Sequence, residues 1–265
     1  MKLLFSLIAG FQLLNSQIQE IPKSQENKIN KTPERKKIEY SISKKYGLDT
    51  LKNINFEVLP EDTQLGFSAI YSPWSDSLKL NYYGIKLGCE RKNLNLDSVL
   101  SRIMKHELTH YRVDKMQEKL GLKSEVENRY SRLINEIYLG MLKVNEEERQ
   151  DIPKAIFQTF MNMRCEQLTN ITLDRMINEG ISMYYDNPNA NSFLMNWFKS
   201  IEDIKTYEDY EMFIYDGGLK LMRPIISAYG EKGIEYVLKN MPKYNDFSDL
   251  EAYQKKILKE LGEQK

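Results

Sequence analysis

Histidine and cysteine are almost missing from this chain, at two of each in 265 residues. Two cysteines, Cys89 and Cys165, are too few for a disulfide scaffold or a cysteine-based zinc cluster. A charge excess is missing too: 38 basic side chains face 38 acidic ones. That balance removes the electrostatic ground for a nucleic-acid partner or an anionic membrane surface. Eight prolines and 13 glycines exclude collagenous and Pro-rich architectures. No segment approaches the roughly 18 apolar residues that a membrane-spanning helix needs. What is plentiful is core material, 41 % hydrophobic and 11 % aromatic, which excludes wholesale disorder. The length fits one or two domains.

The N-terminus has the layout of a secretory signal peptide. Met1-Lys2 precedes an apolar run from Leu3 to Leu14, and polar Asn15-Ser16-Gln17 follows. Residues 1–17 are therefore expected to be removed on export, with cleavage near Asn15–Glu20. Outside the cytoplasm Cys89 and Cys165 could pair, though their spacing neither supports nor excludes a bond. Residues 18–31 read as a flexible lead, and 32–265 as the functional domain.

Thr32-Pro33 is a cap followed by a first-turn proline, predicting a helix that Gly47 stops after Tyr46. Short strand-like stretches follow at Phe56–Leu59, Phe67–Tyr71 and Leu78–Tyr83, separated by Pro/Asp/Ser turns. The strand Leu78–Tyr83 is expected at a sheet edge beside the active cleft. From Asp97 onward the periodicity is helical: Asp97–Leu120 (stopped by Gly121), Ser124–Lys143, Glu146–Gln167, Leu173–Tyr185, Ala190–Ile201, Gly218–Tyr229 and Lys232–Lys239. Pro153 and Pro224 should kink or split two of these. The expected class is α+β, a small mixed sheet packed on the Asp97–Leu120 helix and then a helical portion. Asn30-Lys31-Thr32 and Asn170-Ile171-Thr172 match the glycosylation sequon.

Both histidines fall in one pentapeptide, His106-Glu107-Leu108-Thr109-His110. Placed at random, two histidines would lie four apart in roughly 0.7 % of arrangements, and requiring an acid directly after the first as well cuts that to roughly 0.1 %. On a helix, positions i and i+4 stack on one face, so two imidazoles can reach one ion. Glu107 is turned about 100° away, beside the ion rather than on it, where a carboxylate can take a proton from water. The bland reading is a pair of hydrogen-bonded core histidines with Glu107 as their partner. Apolar stripes on two sides of the helix, Val99/Ile103/Val113/Met116 and Leu100/Met104/Leu108/Tyr111, predict that it is buried.

A catalytic zinc needs a third protein ligand and an open position. With no histidine or suitable cysteine left, that ligand must be a downstream carboxylate: Glu136, Glu166 or Glu179. Glu179 stands out because Met176 and Met183 flank it at i−3 and i+4 on an apolar face. Gly180 beside it weakens a helix by about 1 kcal/mol relative to Ala, a sign of a close backbone neighbour. Glu136 is the reserve.

His106-Glu107-x-x-His110 followed by Asn178-Glu179-Gly180-Ile181-Ser182-Met183-Tyr184 resembles the gluzincin branch of the zinc metallopeptidases. The segments Tyr215-Asp216-Gly217-Gly218 and Ala228-Tyr229-Gly230 are similar to stretches that follow in poorly characterised families of that branch. The resemblance implies a zincin-like fold, Zn2+ held by His106, His110 and Glu179, Glu107 as general base, and a peptide or protein substrate. Thermolysin-like enzymes stabilise the oxyanion with a further histidine, and this chain has none. Tyr184, Tyr185, Tyr215 or Arg223 would have to serve. Two other functions stay open: a zinc hydrolase acting on bonds other than peptides, and an exported zincin-fold binding or structural protein without turnover.

Overall fold

The structure, a computed structural model, describes residues 32–51, 53–61, 68–73, 75–123, 166–189, 197–199 and 203–263. The expected signal peptide, the flexible lead, the helices Ser124–Lys143 and most of Glu146–Gln167 and Ala190–Ile201, Pro153, Cys165, Glu136 and the Asn30 sequon all lie outside the described residues. The class is α+β, mostly helical with one small sheet. The chain divides into two compact units, Met1–Tyr111 and Arg112–Lys265. Among the described residues no helix is long and apolar enough to cross a membrane.

In the first unit, α1 (Pro33–Tyr46) starts and stops where its caps dictate. The Thr32 hydroxyl accepts from the Arg35 N–H at 3.2 Å, and Gly47 ends the helix at φ 66°. Strands β1 (Asn55–Val58), β2 (Ala69–Ser72) and β3 (Ser77–Leu80) form a sheet in the order β1-β3-β2. β1 runs parallel to β3 and β2 antiparallel to it, so the sheet is mixed as expected. The outer side of β1 is plugged by α1. Val58 donates its N–H to Glu39 Oε1 at 2.9 Å, and its carbonyl accepts from the Nε of Arg35, a side chain only 4 % exposed. An edge closed in this way cannot recruit another strand.

Two expectations need correction here. β3 is the central strand, so the edge role expected of Leu78–Tyr83 passes to β2. The strand also ends at Leu80, because Asn81 caps a helix, α2 (Tyr82–Lys92), by accepting from the Gly84 N–H at 3.0 Å. Aromatics and two glycines hid that helix from its sequence pattern. The cap at Asn81 and the left-handed Asn93 (φ 51°) define it instead.

Helix α3 (Leu96–Lys119) carries the histidines. Asn95 Oδ1 accepts from the Ser98 N–H at 2.9 Å, and Gly121 closes the other end at φ 72°. Its Leu100, Met104 and Tyr111 join Val58, Tyr71, Leu78 and Leu80 in one apolar core, packing the sheet on this helix.

The second unit is built on α4 (Glu166–Asp186), α5 (Tyr207–Glu211), a π turn (Met212–Gly217), α6 (Gly218–Lys239) and α7 (Leu250–Glu263). α4 packs along α6 and the π turn. The contact is backbone to backbone: a methyl on Gly180 would strike the Gly218 carbonyl and come within 2.7 Å of its Cα. A methyl on Gly218 would in turn strike the Met176 carbonyl and lie 2.9 Å from the Gly180 nitrogen. The close neighbour that Gly180 signals in the sequence is therefore Gly218. The Asn170 sequon falls inside α4, where Thr172 is 2 % exposed and Asn170 Oδ1 accepts from the Tyr244 N–H at 2.7 Å.

Pro224 does not split α6; the break comes at Gly230 (φ 56°, ψ −136°), a conformation reserved for glycine. Proline removes the donor that the Lys220 carbonyl would otherwise receive. The Gln254 side chain of α7 supplies it, with Nε2 at 2.8 Å from both the Lys220 and the Leu221 carbonyl oxygens. α7 lies beyond the last helix expected from the sequence, and its Leu250, Tyr253, Ile257 and Leu261 make a regular buried stripe.

Two stability predictions follow from these contacts. Gly180→Ala gains about 1 kcal/mol of helix propensity but meets backbone that cannot turn aside, so the net effect should be a loss of at least about 1–3 kcal/mol. Urea unfolding that showed a stabilised variant would contradict the contact. Gln254→Leu removes the donor that Pro224 cannot give the Lys220 carbonyl and should cost about 1–3 kcal/mol, whereas the same change at exposed Lys255 should cost under about 0.5 kcal/mol.

Candidate metal centre

Helix geometry brings the two imidazoles together as their spacing requires. His106 Nε2 and His110 Nε2 lie 3.2 Å apart, with ring planes at 81°. Two nitrogens each about 2.0–2.1 Å from one tetrahedral ion would be separated by about 3.3–3.4 Å. The observed pair fits that requirement. Both rings are half-buried rather than fully inside. The reason is the helix face. Leu100, Met104 and Tyr111 enter the core, while the histidine stripe is rotated about 100° away from that side.

Among the described residues, His106, His110 and Glu179 form a group that could hold a metal ion. Each offers one ligand atom, and these atoms all lie within 4.8 Å of one another. Two imidazole nitrogens and one carboxylate oxygen make a donor set suited to zinc with a position left open. Glu179 is 7 % exposed on α4, among Met176, Ile177 and Ile181, each 0 % exposed. Arg175, one turn back, brings its Nε to 4.0 Å from Glu179 Oε1. Ser182, three residues on, is wholly buried.

The alternative carboxylates separate on simple geometry. Glu166 starts α4, thirteen residues before Glu179, which at 1.5 Å per residue is about 20 Å along the axis.

Glu107 is not part of the ligand group. Its Oε2 accepts from the backbone N–H of Tyr71 on β2 at 2.8 Å. Nothing in the sequence pattern signals this partner, since any residue but proline supplies a backbone N–H. The direction of the bond follows from the sheet. The Asn81 N–H reaches the Ser68 carbonyl at 2.9 Å, so Ser68, Ile70 and Ser72 turn their backbone groups toward β3. Ala69 and Tyr71 turn theirs outward.

The proposed oxyanion donors are half-buried. Tyr184 and Tyr185 follow Glu179 on α4, rotated about 140° and 120° from it. Their rings meet edge to face at 5.5 Å, and the Tyr184 hydroxyl lies 3.4 Å from that of Ser227. Burial pushes the Tyr185 phenol above its ordinary value, Glu231 and Tyr184 add to this, and Arg112 opposes it. The phenol thus stays a proton donor at neutral pH. Tyr215 sits in the π turn and Arg223 on α6. The stretch Tyr229-Gly230 marks the break in α6.

Metal-free protein dialysed against zinc should take up one ion per chain, measured by elemental analysis after gel filtration. His106→Ala, His110→Ala and Glu179→Ala should each weaken uptake by more than the roughly 10–100-fold seen when only an outer partner is lost. Undiminished uptake by Glu179→Ala would remove that residue from the centre.

No family model matches the chain, and no curated protein or solved structure matches it.

Proposed function

We propose that this protein is an exported zinc-dependent peptidase of the gluzincin type. The observation that carries the reading is the grouping of His106, His110 and Glu179 with Glu107 turned beside the imidazoles and tied to a sheet edge. A purely structural metal site has no use for a carboxylate held next to its ligands. Bound by these three residues, zinc would polarise a substrate carbonyl and bring the pKa of a coordinated water toward about 7.

The chain's own part is proton handling and positioning. Glu107 takes the proton of the attacking water and returns it to the departing amine. A phenol or guanidinium from Tyr184, Tyr185, Tyr215 or Arg223 donates to the developing oxyanion, a role worth about 3 kcal/mol in other hydrolases. The outward backbone groups of β2, Ala69 and the Tyr71 carbonyl, suit an extended peptide lying along that edge. Among the described residues no further strand occupies it.

Glu107→Gln is the decisive variant. It removes the base and keeps every ligand, so peptide hydrolysis should fall at least about 1,000-fold while zinc content stays at the wild-type level. An active Glu107→Gln protein would defeat the proposal. Activity confined to ester or amide substrates other than peptides would move it to a different class of hydrolase.

A further inference from the structure

Glu107 and Tyr111 stand one helical turn apart on α3, and Tyr71 of β2 meets both. Its backbone N–H donates to Glu107 Oε2 at 2.8 Å, and its ring stands edge-on to that of Tyr111, centroids 5.7 Å apart at 89°. The Tyr71 hydroxyl donates to Asp76 Oδ1 at 2.9 Å, across the β2–β3 turn, where Asp76 is held in the left-handed region at φ 45°. The side chain is 7 % exposed. Tyr71 is thus fixed at its ring, its hydroxyl and its backbone.

We infer that Tyr71 is the positioning residue for Glu107, its backbone N–H holding one carboxylate oxygen so that the other is aimed at the water. This deepens the peptidase reading and rests on it for its catalytic consequence. A carboxylate has two oxygens and several rotamers open to it. A general base must hold one orientation, because a displacement of about 1 Å can cost about 100-fold in rate. Oε2 is engaged by a charge-assisted hydrogen bond from a rigid strand, which leaves Oε1 for proton transfer. The donor also costs the sheet nothing. Tyr71 pairs with Leu78 without using this N–H, which points away from β3.

The outward direction makes a clean experiment possible, since proline at an outward-facing edge position removes no ladder bond. Tyr71→Pro and Tyr71→Ala both lose the ring and hydroxyl, but only the proline variant loses the N–H. In the zinc-loaded full chain, kcat for a peptide substrate should be about 10–100-fold lower in Tyr71→Pro than in Tyr71→Ala, with KM and zinc content equal. Equal kcat values would overturn the inference. A second measurement needs neither metal nor turnover. In metal-free protein labelled with 15N-tyrosine, Glu107→Ala should shift the Tyr71 amide resonance and speed its hydrogen exchange about tenfold. An unchanged amide would overturn the inference even if Tyr71→Pro failed to fold. Should the wild-type chain cleave no peptide, the peptidase reading falls, and the amide measurement still decides whether Tyr71 holds Glu107.

Discussion

The 100° step of a single helix organises the chemistry of this protein. On α3, His106 and His110 form one stacked pair, and Glu107 and Tyr111 form a second pair one residue along. The first pair converges on a point suited to an ion, with nitrogens 3.2 Å apart. The second faces the sheet, Tyr111 entering the core and Glu107 reaching the outer edge of β2. A one-residue slip would spoil both faces, in one direction placing imidazoles against Tyr71, in the other placing the Glu107 carboxylate where a ligand should be. The packing of Leu100 and Met104 against Leu78 and Leu80, all at most 4 % exposed, resists such a slip. Core packing and site geometry are here one constraint.

The second unit places its carboxylate by a different device. α4 and α6 approach until backbone touches backbone, which only Gly180 and Gly218 permit. Met212–Gly217 winds as a π turn immediately before Gly218. The extra residue in that turn resets the phase of the helix, so that Gly218 rather than a bulkier neighbour meets Gly180. Glu179 adjoins this contact in sequence, and its height along α4 is therefore set by rigid main chain and not by adjustable side chains. Pro224 and Gln254 show the same economy, a missing backbone donor replaced by one side-chain amide.

Much of this was legible in the sequence because it rests on local rules. The caps Thr32 and Gly47, the stop at Gly121 and the i, i+4 histidines each need only a few neighbouring residues to be recognised. Gly180 also announced its neighbour, though not which backbone it would be. The rest was hidden for physical reasons. Strand order is a long-range property, so the central place of β3 could not be read from the alternation of Leu78 and Leu80. Helix α2 lacks a clear apolar period, and its existence depends on the Asn81 side chain turning to cap it. The Tyr71–Glu107 bond uses a main-chain donor that every position but proline shares, so no residue type marks it.

The setting of Glu179 bears on why such a residue is there. A carboxylate 7 % exposed, with a guanidinium nitrogen at 4.0 Å, is poor value as a stabilising element. Burying both charges costs several kcal/mol per ion, and replacing such pairs by apolar residues of similar volume is often neutral or stabilising by about 1–4 kcal/mol. The neighbourhood already supplies the apolar alternative in Met176, Ile177 and Ile181, each 0 % exposed. Fold stability alone would favour another such residue at position 179. A cation held with His106 and His110 would reverse that balance, since the carboxylate would then offset its own desolvation by ligation. The same cation would use the half-buried imidazoles as donors, and Glu107, outside the ligand group, would keep its carboxylate for proton transfer.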